Sequence, residues 1–249
     1  MLHNYININT LTPGQISEKA VIPFIDIVPK THNVLITGAN GNLGTACIEK
    51  CIDSKWKAYP IVRETVDLSQ WFAVENWVNE HHVDYDLVIM AHGTQIPSPL
   101  ARIEASEWER VLKDNLTSCV ALIHSLMFEV RIRPGGLVVF LSSIHATQPR
   151  FGRGAYAAAK AGVEGLMRAT SVELQDINAR AIALRLGQMT ETMGGIEFSE
   201  DQIKHLTERI PSEWVEASRV ADLIFSFYDQ PSLTGQVIEI SSGHNLNIW

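Results

Sequence analysis

Residues 33–44 read NVLITGANGNLG. The apolar run is strand length, and glycines follow at 38, 41 and 44, three apart. A helical pattern then takes over from about Leu43 to Asp53. A short buried strand that passes through a glycine turn into a helix opens a βαβ layer. Glycine in such a turn allows the tight reversal, close approach of backbone to a pyrophosphate, and helix–strand packing. The helix N-terminus then faces the phosphates with its positive dipole end. Taken alone the glycines fit any βα turn; between a strand and a helix they fit a dinucleotide-binding turn.

The same alternation continues outward from this stretch. KAYPIVR (57–63) reads as a second strand, and LSQWFAVENWVNEHH (68–82) as an amphipathic helix. DYDLVIMAHG (84–93) is a strand ending in a turn, and residues 106–131 form a long helix. GGLVVFLSS (135–143) is a strand, 153–176 a helix, ARAIALRLG (179–187) a strand, 212–230 a helix and GQVIEISSG (235–243) the last strand. Strands alternating with helices predict a parallel sheet covered on both faces, an α/β doubly wound architecture. No linker interrupts residues 32–249, which read as one domain. Residues 1–31, rich in Asn, Thr and Pro, read as an extension whose apolar VIPFIDIV (21–28) docks on something.

Composition narrows the classes of function. With 249 residues, 46% hydrophobic and 19% charged, the chain can bury a sizeable core. A formal net charge of −8 argues against nonspecific binding to nucleic acid or to an anionic membrane. The three cysteines, Cys47, Cys51 and Cys119, are an odd number with no secretory signal, so reduced thiols and a cytoplasmic location are expected. No further ligands cluster about them as a metal site requires. No apolar run approaches the length of a membrane span.

RGAYAAAKAG (153–162) places Tyr156 and Lys160 four apart on a predicted helix, hence on one face, among residues small enough for close approach. A phenol beside an ammonium is a candidate acid–base pair; a packing tyrosine and a surface lysine are the plain alternative. Arg63 ends the second strand, where this architecture meets an adenosine ribose. An acidic residue there favours NAD, whereas Arg pairs with a 2′-phosphate, so NADP(H) is favoured over NAD(H). Glu64 follows at once, and a solvated strand end is the plain reading.

From about residue 32 to the C-terminus the chain resembles the short-chain dehydrogenase/reductase family. Tyr156-x-x-x-Lys160 matches the family signature, and Ser143 precedes Tyr156 by thirteen residues, the usual spacing. Asn115, in KDNLTS (113–118), falls where the family keeps a helical Asn, and GQVIEISSGHN looks like the family's closing strand. The resemblance implies a single-domain Rossmann fold with a mostly parallel seven-stranded sheet. It implies that Tyr156 is the general acid/base and that Lys160 favours its phenolate and holds the nicotinamide ribose. Ser143 would hydrogen-bond the substrate oxygen, and Asn115 would hold a water that links Lys160 to solvent. Gly38, Asn40, Gly41, Asn42, Leu43 and Gly44 would cradle the pyrophosphate, and Asp67 and Leu68 would sit against the adenine. The family usually assembles as dimers or tetramers, which implies a homodimer or homotetramer joined through the helices at 106–131 and 153–176.

The chain also departs from the family. TGANGNLG is similar to the loop of extended members, the dTDP-4-dehydrorhamnose reductases especially, and the stretch from Gly44 to Asp67 is short. The family's Asn-Asn-Ala-Gly is here Met90-Ala91-His92-Gly93; Ala91, His92 and Gly93 are expected beside the cofactor, with His92 read as a satisfied buried histidine. The family's Pro-Gly is Leu186-Gly187, and Gly187, Met189 and Thr190 are expected near the nicotinamide. Residues 188–212, with glycines at 194 and 195, are expected to form a substrate lid. Gln95, His145, Arg150 and Arg153 are candidate substrate contacts; two arginines there suit a carboxylate or phosphate, or else face solvent.

Three functions follow. The first is an NAD(P)-dependent oxidoreductase that interconverts a carbonyl and an alcohol on a small polar or sugar-like substrate, as a biosynthetic reductase. The others are a sugar-nucleotide epimerase or reductase with tightly bound NAD, and a non-catalytic nucleotide-binding regulatory protein.

Overall fold

β1 (Asn33–Thr37) leads through the glycine turn into α1 (Asn42–Asp53), and the chain returns in β2 (Lys57–Ile61). A computed structural model describes residues 31–189 and 215–243 of the chain. The further elements are α2 (Trp71–Glu80), β3 (Tyr85–Met90), α3 (Ala105–Leu112), α4 (Ser118–Phe128), β4 (Ile132–Ser143), α5 (Gly154–Glu173), β5 (Arg180–Leu186), α6 (Ala217–Tyr228) and β6 (Val237–Ile240). The strands form one sheet in the order β2-β1-β3-β4-β5-β6, every neighbouring pair parallel.

Period-two alternation inside each strand divides the core between the two faces. Leu35, Val88, Val138, Phe140, Ala181 and Ala183 face α2, α4 and α5, which bring Val74, Val78, Leu122, Leu126, Val163 and Met167. Val34, Ile36, Leu87, Ile89, Val139, Ile182 and Leu184 face α1 and α6, which bring Ala46, Cys47, Cys51, Val220 and Ile224. Each fully buried aliphatic side chain contributes about 1.5–3 kcal/mol, so both helix layers are held by burial. All three cysteines are free and buried within these layers.

Three expectations need correction. The sheet has six strands among the described residues, where seven were expected. Ile61 ends β2 and Trp71 opens α2, and the nine residues between them are too few for a helical crossover and a further strand. The long helix at 106–131 is three segments, because a π turn over Lys113–Thr117 separates α3 from α4. The side-chain amide of Asn115 donates to the Val111 carbonyl at 2.8 Å. In a regular α-helix that acceptor serves residue 115's own N–H, so the side chain competes with the ladder and one residue bulges. The predicted helix at 212–230 begins at Ala217, and its residues 212–214 lie outside the described ones. Among the described residues no helix is long and apolar enough to cross a membrane.

Candidate active site at the carboxyl ends of the strands

A cleft of about 790 Å³ opens at the carboxyl ends of β1, β3, β4 and β5. It includes the point where the chain turns from β1 to one side for β2 and to the other for β3, the place where open parallel sheets bind ligands. Gly38 has φ +63°, and a Cβ on it would stand 2.8 Å from the Ala91 carbonyl oxygen and 2.9 Å from His92 Cα. The turn closes with Gly41 N–H donating to Gly38 O at 2.9 Å. Gly41 then caps α1 in extended conformation with no side-chain cap and no acidic residue in the first turn. The first amides of α1 keep their donors for an anion in the cleft.

Arg63, Asp67 and Leu68 line the cleft beyond β2. The Arg63 guanidinium lies 3.3 Å from Asp114 and its side chain is 60% exposed, so it can turn to an incoming phosphate. Arg110 also approaches Asp114, at 3.7 Å. Burial pushes the Asp67 carboxyl up, but hydrogen bonds from Ser69 and the Arg63 charge outweigh it and hold the carboxyl below the usual range. These residues fit an adenosine dinucleotide: uncapped amides suit a pyrophosphate, the exposed Arg63 cation a ribose phosphate and the apolar Leu68 a base.

Tyr156 and Lys160 both point inward from α5, 7% and 4% exposed, because Ala155 and Ala159 let the helix lie close. Lys160 Nζ donates to the Leu141 carbonyl at 2.9 Å and stands 5.6 Å from the Tyr156 ring centre. Ser143 ends β4, where its Oγ accepts from the His145 amide at 3.2 Å and keeps its own proton to donate. Asn115 lies behind the cleft wall; its Nδ2 also donates to Thr94 O at 2.7 Å, while its buried Oδ1 has no partner. A Cβ on Gly93 would fall 2.5 Å from that Oδ1 and 3.4 Å from Lys160 Nζ, so the glycine keeps the space between them open.

His92 is half-buried on the cleft wall, with both ring nitrogens engaged. Nδ1 lies 2.6 Å from Thr37 Oγ1 and Nε2 lies 2.8 Å from Ser118 Oγ. Ser118 Oγ–H donates to the Asp114 carbonyl, so His92 Nε2–H donates to Ser118; Nδ1 accepts from the Thr37 hydroxyl at 2.6 Å, in preference to that hydroxyl's longer 3.3 Å contact with the Ile89 carbonyl. Burial, with the positive charges of Lys160 and Arg63, lowers the imidazole pKa to about 3. It is a neutral, satisfied histidine, and it faces the cleft as well.

Of the residues singled out in the sequence, Asn40, Asn42, Leu43, Gly44, Gln95, His145, Arg150, Arg153, Gly187 and Met189 also line this cleft. Thr190, and the expected lid beyond Met189, lie outside the described residues. Arg110, Asp114, Ser118 and Gln188 line it too and were missed. The i, i+4 spacing of Arg110 and Asp114, next to Asn115, was the available signal.

A family model described as short chain dehydrogenase matches residues 27–202. The chain is 25% identical over 224 residues to the 3-oxoacyl-[acyl-carrier-protein] reductase FabG of Chlamydia trachomatis, covering 85% of this chain and 86% of that one. It is 24% identical to the 3-oxoacyl-[acyl-carrier-protein] reductase MabA of Mycobacterium bovis, covering 91% and 96%. A solved small-chain dehydrogenase in complex with NADPH superposes with a TM-score of 0.78 at 16% identity, over 87% of this chain and all of that one. A short chain dehydrogenase family protein from Francisella tularensis gives 0.77 at 20% identity, over 87% and 100%. At those identities the structural likeness shows the fold alone.

Proposed function

The chain belongs to the short chain dehydrogenase family of oxidoreductases, and on that premise we propose that it reduces a small-molecule carbonyl to an alcohol with NADP(H). One observation carries the reading: Ser143, Tyr156 and Lys160 line the same cleft as the glycine turn. When bound, the dinucleotide supplies the hydride for the carbonyl carbon. Ser143 Oγ–H donates to the substrate oxygen and positions it. Tyr156 Oη delivers the proton to that oxygen, and the Lys160 charge stabilises the phenolate left behind. Asn115 Oδ1 and Lys160 Nζ, with the opening at Gly93 between them, form the route by which that proton is replaced.

Gly38, Asn40, Gly41, Asn42, Leu43 and Gly44 hold the pyrophosphate, Asp67 and Leu68 the adenine, and Ala91, His92 and Gly93 the adjoining ribose. Gly187, Met189 and Thr190 hold the nicotinamide end. The exposed Arg63 guanidinium supports NADPH, and the NADPH-bound relative of like fold is in keeping with it. Residues 32–249 act as the catalytic domain, with residues 1–31 an extension and 188–212 the lid. Val172 on α5 and Phe128 at the end of α4, 64% and 77% exposed, support assembly through these helices. A cytoplasmic setting fits the three free thiols.

The test is NADPH oxidation followed by absorbance over a panel of ketones, keto acids and keto thioesters, with cofactor binding read from tryptophan quench. Turnover is expected, Tyr156→Phe lowering it at least 1,000-fold while NADPH still binds. Wild-type protein that binds NADPH and oxidises it with no carbonyl removes the reductase reading. Tighter NADH than NADPH binding removes the role of Arg63. The spacing of Gly38, Gly41 and Gly44 supports a second reading, a nucleotide-sugar epimerase or reductase holding NAD, which purification without bound nucleotide counts against.

A further inference from the structure

Among the described residues, charge is unevenly placed around the cleft. The lining contributed by residues 61–69 and 110–118 mixes Arg63 and Arg110 with Glu64, Asp67 and Asp114. The lining contributed by residues 141–160, around Ser143 and Tyr156, holds Arg150, Arg153 and Lys160 and no carboxylate. Lys160 serves the reaction. Arg153, named above as a candidate substrate contact, takes no part in the reaction as drawn, and its position is unfavourable for a cation. It is the N-cap of α5, where the helix dipole is positive, and it is half-buried. Its partner is neutral: Nη1 donates to Gln95 Oε1 at 2.5 Å, and no carboxylate among the described residues pairs with it. Gln95 comes from the loop after β3, so the contact fixes the guanidinium from a second element rather than neutralising it. A positive group, oriented by a neutral one, set at a positive helix end and lining the same cleft as Tyr156, is arranged for an anion that arrives with the ligand.

We infer that Arg153, held by Gln95, recognises an oxyanionic substituent of the substrate, a carboxylate or a phosphate, and sets the enzyme's preference for charged carbonyl compounds. The inference rests on the reductase reading and names its substrate class. Arg153 binds the anion through its remaining N–H groups, and the dipole of α5 adds to the attraction.

The test compares matched pairs by kcat/KM: 2-oxobutyrate, acetoacetate and levulinate with their methyl esters, and acetoacetyl-coenzyme A with its neutral N-acetylcysteamine thioester. Wild-type protein is expected to favour the anionic member of at least one pair tenfold or more. Arg153→Met should lower that ratio at least tenfold, and Arg153→Lys should restore part of it. Gln95→Met, which frees the guanidinium without removing it, should lower it less and serves if Arg153→Met does not fold. A ratio that falls only for acids assigns a carboxylate; one that falls only for the coenzyme A thioester assigns a phosphate. No anionic preference in wild type, or an equal loss on both members in Arg153→Met, overturns the inference. If no compound is reduced, the reductase reading itself fails. Calorimetry of butyrate and inorganic phosphate with NADPH-saturated protein then decides the anion site: binding that Arg153→Met abolishes keeps it, and no binding overturns it.

Discussion

Gly38 meets two constraints in one residue: φ in the left-handed region, and a backbone contact that leaves no room for a Cβ. Gly38→Ala is therefore expected to cost about 1–3 kcal/mol in backbone strain. It should also weaken NADPH binding at least tenfold, by moving the turn off the Ala91–His92 backbone. A melting temperature and a quench titration both equal to wild type would show that the turn tolerates a side chain. Gly38, Tyr156 and Lys160 were legible in the sequence because their meaning is local: a spacing, a neighbouring element and a side-chain type. His92 was only half legible. Its satisfaction depends on Thr37 and Ser118, 55 and 26 residues away, and no local pattern announces partners at that distance.

At the scale of elements, the apolar pattern marked each of the six described strands, because burial on both sheet faces imposes it. It did not reveal the π turn. Whether Asn115 takes the Val111 carbonyl depends on the Thr94 carbonyl that accepts from the same amide, a contact between elements. Nor did it reveal how α6 ends. Arg180, the first residue of β5 and 6% exposed, donates to the carbonyls of Phe227, Tyr228 and Gln230 at 3.1, 2.7 and 2.6 Å. These carbonyls close the helix, and a buried guanidinium satisfies them with a favourable charge at the negative dipole end. Arg180→Met leaves them buried and unmet, and urea unfolding should show a loss of roughly 2–4 kcal/mol. Arg180→Lys should recover only part, since an ammonium's three donors sit on one nitrogen and cannot span carbonyls that the planar guanidinium reaches from two. A loss below about 0.5 kcal/mol for the Met variant would mean that water caps the helix instead.

Across the whole molecule, buried ionisable groups tie α5, which carries Tyr156 and Lys160, to the sheet. Glu164 on α5, one turn beyond Lys160 and 4% exposed, accepts from Ser142 Oγ at 2.8 Å and from Arg185 Nη2 at 2.8 Å. Arg185 on β5 reaches Glu239 on β6 at 3.3 Å, so one network joins β4, β5, β6 and α5. Burial pushes the Glu164 carboxyl up, but the Arg185 and Ser142 hydrogen bonds and the Arg185 charge hold it below its usual range. A carboxylate lowered in the folded state contributes stability above the ordinary value of about 4.3, and this is lost as pH falls through the folded value. His92 acts at higher pH. Its imidazole stays neutral in the fold down to about pH 3, while the unfolded chain takes up a proton below about 6.5. Acidification through that window then favours unfolding by up to about 1.4 kcal/mol per pH unit, or about 2 kcal/mol by pH 5. Stability against pH should accordingly fall in two stages, measured by urea unfolding from pH 7.5 to 3.5. His92→Asn should flatten the upper stage and leave the lower one. Glu164→Gln should lower stability by roughly 3 kcal/mol at pH 7, by leaving part of the Arg185 charge unpaired, and should flatten the stage below about pH 4.5. Wild-type slopes in both variants would place the acid sensitivity elsewhere. A slope changed only in His92→Asn would mean that the Glu164–Arg185 pair persists unprotonated into strong acid, as a doubly hydrogen-bonded buried pair with a second carboxylate behind it can.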